Sequence, residues 1–177
     1  MKMITLSNGR QLRIRDAIKS DASAMHNHFN QVSTESDNLP FGEGEFGKSV
    51  EDVAQYIVGC ITKDNAIYAI AEVDGKLAGY ISFEGGWRPR NRHIGEFGIA
   101  IKKVFWGLGI GCILIQHLID WAKQGGIISK INLKVKSDNT PAIKLYEKLG
   151  FRYEGKIIKD TLINGIYYDV DCMGMEI

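Results

Sequence analysis

The sequence predicts an α+β fold built on one mixed, mostly antiparallel twisted sheet flanked by helices. Three observations predict it. The dipeptides Asn8-Gly9, Asp74-Gly75 and Asn164-Gly165 each separate two β-prone runs, so hairpins stand near the start, middle and end. Between the second and third hairpins the apolar period switches from two to 3.6 and back, giving a β-α-β-α-β stretch. Strand and helix do not alternate through the whole chain, so a doubly wound parallel sheet is not predicted.

The chain has 177 residues, enough for one domain, and no Pro/Gly/Ser linker or repeat divides it. A single domain over residues 1–177 is expected. Lys plus Arg is 22 and Asp plus Glu is 21, a balance that argues against a nucleic-acid partner held by a basic field. Cys60, Cys112 and Cys172 stand apart with no CxxC spacing and the four His are scattered, so no metal is expected. Sparse, odd cysteines suit a reducing cytoplasm. No apolar run approaches the ~20 residues needed to span a bilayer, so no membrane partner is expected.

Taken in order, Ile4–Leu6 and Gln11–Arg15 read as short strands around Asn8-Gly9. Ser20 or Asp21 is placed to cap a helix running to about Val32. Residues 34–48 lack a period and contain Pro40, Gly42, Gly44 and Gly47, so they read as a long loop. Ser49 opens a capping box closed by Asp52, and Val53, Tyr56, Ile57 and Cys60 follow at helical spacing. Ala66–Val73 and Lys76–Phe83 form the middle hairpin, and a loop over 85–92 carries three Arg. Ile94–Ile101 is a further strand, and a helix spans Ile110–Lys123 before Gly125-Gly126 stops it. Lys130–Val135 alternates as a half-buried strand. Thr140-Pro141 starts a short helix by the N-cap and N1 rules, and Gly150 ends it. Phe151–Lys159 and Ile166–Met175 close the chain as strands.

The segment Ile99 to Gly111 carries the most chemistry. A strand leads into Trp106-Gly107-Leu108-Gly109-Ile110-Gly111, and a helix begins there. Glycine removes the Cβ wall, so backbone N–H groups can converge. The first N–H groups of a helix lack partners, and its dipole favours negative charge. Such a turn either seats a phosphate or pyrophosphate or simply lets strand and helix pack closely. A P-loop is ruled out because Cys112 follows Gly111 where Lys is needed. A dinucleotide fingerprint is weakened because position 112 is Cys rather than Gly, although Asp138 lies where a ribose-binding acid would stand.

On the preceding strand Phe97, Ile99 and Ile101 share one face, and Glu96, Gly98 and Ala100 the other. The small face either admits an extended ligand, whose amides pair with strand backbone, or accommodates a packed helix. Downstream, Asn139 stands just past a strand end, where its amide reaches a ligand. Tyr146 shares a helix face with Ala142 and Leu149.

These two segments resemble the GNAT superfamily of acetyl-CoA-dependent acyltransferases, and the order of elements follows that family from about Arg13 to Glu176. The family signature Gln/Arg-x-x-Gly-x-Gly/Ala is matched by Trp106 to Gly111, and Asn139-x-x-Ala142-x-x-Leu145-Tyr146-x-x-x-Gly150-Phe151 matches a second family block. Trp106 departs from the usual Gln or Arg, which leaves backbone donors rather than a polar side chain for the diphosphate. The resemblance implies a GNAT-like fold and acetyl transfer from acetyl-CoA to an amine acceptor. The acetyl-CoA-binding positions it implies are Ile99, Ala100, Ile101, Trp106, Gly107, Leu108, Gly109, Ile110, Gly111, Cys112 and Asn139. An alkyl ammonium has a pKa near ~10.4 and no free lone pair, so a base is needed, and Glu96 is the candidate, directly or through water. A backbone N–H of residues 99–101 is placed to stabilise the oxyanion, and Tyr146 to protonate the leaving thiolate. The Cys112 thiol lies in an apolar helix and reads as buried and structural rather than as an acyl carrier.

The acceptor stays open. The loop over 35–46 carries Glu35, Asp37, Glu43 and Glu45 among Leu39, Phe41 and Phe46, which suits a cationic amine: polyamine, aminoglycoside, amino acid or protein N-terminus. Trp87, Arg88, Arg90 and Arg92 suit a carboxylate-bearing acceptor or a cofactor phosphate instead. A non-catalytic acyl-CoA-binding module and a dinucleotide oxidoreductase are the competing readings. The sequence sets no oligomeric state; a homodimer through the closing hairpin is one arrangement it allows, dimers being the commonest assembly.

Overall fold

The computed structural model describes residues 2–177. Its strands are β1 (Lys2–Thr5), β2 (Gln11–Asp16), β3 (Ala66–Val73), β4 (Lys76–Gly85), β5 (Ile94–Ile101), β6 (Lys130–Lys136), β7 (Arg152–Ile163) and β8 (Ile166–Glu176). Its helices are α1 (Ala22–Glu35), α2 (Val50–Ile61), α3 (Ile110–Gly125) and α4 (Thr140–Lys148). The strands form one sheet in the order β1-β2-β3-β4-β5-β6-β8-β7. Every neighbouring pair is antiparallel except β5 and β6, which α3 connects in parallel. The expected α+β build with a mixed, mostly antiparallel sheet is what is found.

Helices cover both faces of the sheet centre, so β3 is buried at all positions and reads as a near-continuous apolar run. Under α3 and α4 lies one core, including Phe83, Leu114, Ile115, Leu118, Ile131 and Phe151. Under α1 and α2 lies the other, including Met25, Phe29, Ile57, Tyr68, Tyr80 and Ala100. Strand alternation assigns each side chain to a face. Phe97 belongs to the first core and Ala100 to the second, as their parity requires.

Three local expectations need revision. Asp21 occupies the N-cap of α1, but its carboxylate turns away from the helix. It grips the Arg15 guanidinium at 2.7 and 2.8 Å and accepts the Ile18 N–H at 2.8 Å. A bidentate ion pair outweighs a neutral cap bond. The cap of α4 is Asn139 rather than Thr140: its Oδ1 accepts the Ala142 N–H at 3.4 Å. Helix α1 runs on to Glu35, whose carboxylate accepts the Lys103 N–H at 2.6 Å. By contrast, Ser49 and Asp52 form the predicted reciprocal box, at 3.1 and 2.8 Å.

Candidate active site

The site begins where the sheet splits. Strand β5 pairs with β4 from Gly95 to Ile101, but with β6 only over Ile94–Glu96. Beyond the Glu96–Asn132 pair the two strands part. Lys102 donates its N–H to Ala78 O at 2.9 Å. Alternation therefore turns the backbone groups of Ala100 and Gly98 toward β4, and those of Phe97, Ile99 and Ile101 into the fork. The Ile101 carbonyl there accepts the Trp106 indole N–H at 2.7 Å. Of the three strand residues proposed to bond acetyl-CoA, Ile99 and Ile101 face the fork. Ala100 does not: its methyl is buried beneath α1 and its backbone belongs to the β4 ladder.

The fork opens onto the glycine turn. Gly107 and Gly109 have φ of +75° and +76°, a conformation that favours glycine. A Cβ built on either meets nothing within 4 Å, so the turn is open above both. The first helical bond of α3 runs from Ile113 N to Gly109 O at 3.2 Å. The N–H groups of Gly107, Leu108, Gly109, Ile110, Gly111 and Cys112 make no hydrogen bond among the described residues. Six consecutive free donors at a helix N-terminus are the arrangement that suits an anion. Trp106 is 49% exposed at its edge. Cys112 departs from expectation in being half-buried. The buried stripe of α3 is Ile110, Leu114, Ile115, Leu118, Ile119 and Ala122, and position 112 falls beside that stripe.

Tyr146 and Glu96 lie on opposite faces of the sheet. Tyr146, on α4, packs edge-on against Phe97 and Phe151 at 6.0 Å each. It is 8% exposed, and its hydroxyl has no partner among the described residues. Burial pushes that hydroxyl up to about 12, so it keeps its proton at neutral pH. Glu96 is exposed on the α1–α2 side, with Glu84 opposite it on β4 and Asn132 opposite it on β6. The fork runs between the two faces. Asn139 sits past the end of β6 with its oxygen committed to the α4 cap and its amide N–H groups free.

The α1–α2 connection is less open than its composition suggests. Phe41 and Phe46 fold back onto Phe29, the latter stacked at 4.4 Å. Two of its acids serve the backbone: Glu35 holds Lys103, and Glu45 accepts the Gly42 N–H at 2.7 Å. In the arginine loop, Arg92 grips Asp64 at 2.8 Å and Arg88 stacks over Trp87 at 4.3 Å. Sequence reading passed over Tyr80, Ser82 and Glu84. Their signal lies in the register of β4 against β5, which alternation alone does not supply.

A split mixed sheet whose free strand edge feeds an anion-binding helix start defines a class, the acyltransferases that draw on coenzyme A thioesters. The description "Acetyltransferase (GNAT) family" matches residues 31–151. The chain belongs to the GNAT acetyltransferase family. The L-amino acid N-acetyltransferase AaaT of Escherichia coli K12 is 35% identical over 100 residues, covering 56% of this chain and 62% of that protein. A GNAT acetyltransferase from Streptococcus pneumoniae superposes with a TM-score of 0.91 at 34% identity, covering 94% and 99% of the two chains. The fold of yncA from Salmonella typhimurium, solved with acetyl-CoA, superposes with a TM-score of 0.81 at 22% identity, covering 93% of each.

Proposed function

We propose that this chain transfers the acetyl group of acetyl-CoA directly to a primary amine. The observation that carries this reading is the fork between β5 and β6, opening onto six free amides with Tyr146 on one side and Glu96 on the other. Acetyl-CoA supplies an activated thioester. The amides of Leu108 to Cys112 hold its diphosphate, with Gly107 and Trp106 shaping the seat. The backbone groups of Ile99 in the fork, the Ile101 N–H and the Asn139 amide bond the extended arm. Glu96 takes the ammonium proton, directly or through water. Tyr146 keeps the proton that the departing thiolate needs. In this reading the acetyl group passes directly from the thioester to the amine, with no acyl-enzyme intermediate.

A thiol-release assay over a panel of amines tests this. Release with at least one amine, first order in enzyme, is expected. Tight acetyl-CoA binding with no release for any amine would instead assign a module that holds acyl-CoA without transferring it. A rise in melting temperature with NAD but not acetyl-CoA would assign a dinucleotide enzyme. We also propose that two copies associate through the β7–β8 hairpin.

A further inference from the structure

Trp106 stands where the family signature places Gln or Arg, and its side chain turns back toward β5. An indole has one polar atom, the Nε1–H donor, and no acceptor. In this chain that donor is used on the Ile101 carbonyl at 2.7 Å. None is left for a diphosphate, which falls to the backbone amides of the turn. Ile101 is fixed on its other sides as well. The next residue, Lys102, donates its N–H to Ala78 O at 2.9 Å. The Ile101 side chain reaches the start of α3, its Cδ1 lying 3.4 Å from a Cβ built on Gly111. The backbone N–H of Trp106 goes to Lys103 O at 3.1 Å, so a tight turn carries the indole.

What the indole bond does follows from the repeat of a strand edge. Residues two apart on β5 present the same N–H and carbonyl pattern to the fork, spaced by roughly 6.7 Å. Ile99 offers one such pair of groups and Ile101 the next. An extended arm with amides of its own can pair at Ile99 or, displaced by one repeat toward the glycine turn, at Ile101. The two positions differ chemically. Tyr146 packs on Phe97 at 6.0 Å, and Glu96 precedes Phe97, so the thioester has to stop at the Phe97 end of the fork. A displaced arm leaves it one repeat short. The indole N–H occupies the carbonyl that the displaced arm would use, while the Ile101 N–H stays available.

Resting on the acetyl-transfer reading above, we infer that Trp106 is a positioning residue that sets the register of the acyl-CoA arm on β5. With the Ile101 carbonyl closed, only Ile99 of the two keeps both backbone groups open to the arm. The arm then has one docking register, and that register carries the thioester to Tyr146 and Glu96. Acetyl-CoA has a second register mark, its diphosphate in the glycine turn. S-Acetylpantetheine has the same arm and thioester without that mark, so its alignment depends on the strand edge alone.

The test is Trp106→Phe, which keeps a ring and removes the N–H, with Trp106→Leu as a second variant that also lacks it. Thiol release is followed with both donors and the best amine of the panel. A displaced arm is bound unproductively, and unproductive binding lowers kcat and KM by the same factor while kcat/KM holds. With S-acetylpantetheine we expect kcat and KM of Trp106→Phe to fall together about fivefold, the effect of one net hydrogen bond. With acetyl-CoA both should stay within twofold of wild type. The acetyl-CoA-induced rise in melting temperature should persist, which shows that the variant is folded and loaded. A rise in KM, or an equal loss of kcat/KM with both donors, would make Trp106 a support of the diphosphate seat alone and overturn the inference. Wild-type constants with both donors, or a wild type that uses acetyl-CoA but not S-acetylpantetheine, would overturn it too, and acetyl transfer would stand. Release with neither donor for any amine would remove the acetyl-transfer reading and this one with it.

Discussion

At the scale of single residues, the two faces of the fork divide the chemistry. Tyr146 keeps its proton because burial raises it to about 12, which leaves it able to donate across the range in which amines become nucleophilic, as the proposed mechanism requires. Replacing Tyr146 by Phe should lower kcat at least tenfold with little change in the acetyl-CoA dissociation constant. Its two ring contacts survive that change, so the melting temperature should stay within a few degrees. Wild-type turnover in Tyr146→Phe would reduce the residue to packing. Gly109 allows strain and charge to be separated. Its φ of +76° makes any side chain costly by about 1 kcal/mol, although nothing lies within 4 Å of the added Cβ. Gly109→Ala should therefore lose stability but bind acetyl-CoA within a fewfold of wild type. Gly109→Glu sets a carboxylate against the diphosphate and should weaken binding more than tenfold by calorimetry. Equal affinities for the two variants would move the diphosphate away from this turn.

At the scale of elements, α1 is seated on the sheet through a histidine that cannot ionise in place. His28 is fully buried with both ring nitrogens unpartnered among the described residues. Burial first, and then the Lys102 charge, hold it down to about 4. The unfolded chain takes up a proton below about pH 6.5 and the folded one only near 4. Stability is therefore present above pH 6.5 and is lost as the pH falls, by about 3 kcal/mol once pH 4 is reached. His117 on α3, also lowered by burial, adds in the same direction. Asp21, Asp52 and Asp74 are held below the usual carboxylate range, so their losses come at lower pH. His28→Phe keeps a ring against Tyr80 and should flatten the decline in melting temperature between pH 6.5 and 4.5. An unchanged decline would place its origin elsewhere. Elements such as α2 were legible in the sequence because a capping box and an apolar stripe are local signals. The strands of the central hairpin were legible through Asp74-Gly75, whose Asp carries φ of +50°. The glycine turn and Tyr146 were legible as a pattern of residues. The fork was not, because where β5 leaves β6 depends on contacts between segments some 35 residues apart. Glu84, Ser82 and Tyr80 were hidden because their meaning comes from the residues opposite them on β5, and the preference of Asp21 for Arg15, only six residues away, was hidden because a local cap signal does not show which side chain competes for the carboxylate.

At the scale of the whole molecule, the closing hairpin does not end with the sheet. Strand β8 pairs with β6 only from Val170 to Glu176, so residues 157–169 project past Lys136 as a two-stranded ribbon. Such a ribbon is marginal alone in water, and this one exposes Ile157, Ile158, Leu162, Ile166 and Tyr167, with Ile158 at 73%. Its outer edge is not suited to strand addition. Register slips between Ile157 and Thr161, and Lys159 takes φ of +55°, a bulge that bends the edge away. The apolar side chains, rather than the backbone, are what a partner would cover. A second copy related by a two-fold axis, the commonest symmetry of small assemblies, would cover these side chains with their own counterparts. Sedimentation should therefore report a dimer at micromolar concentration. Ile158→Asp combined with Leu162→Lys should shift it to monomer, with the acetyl-CoA-induced rise in melting temperature retained, because the glycine turn and the fork lie on other elements. A wild-type monomer up to 100 μM would leave the ribbon as exposed surface and remove the dimer.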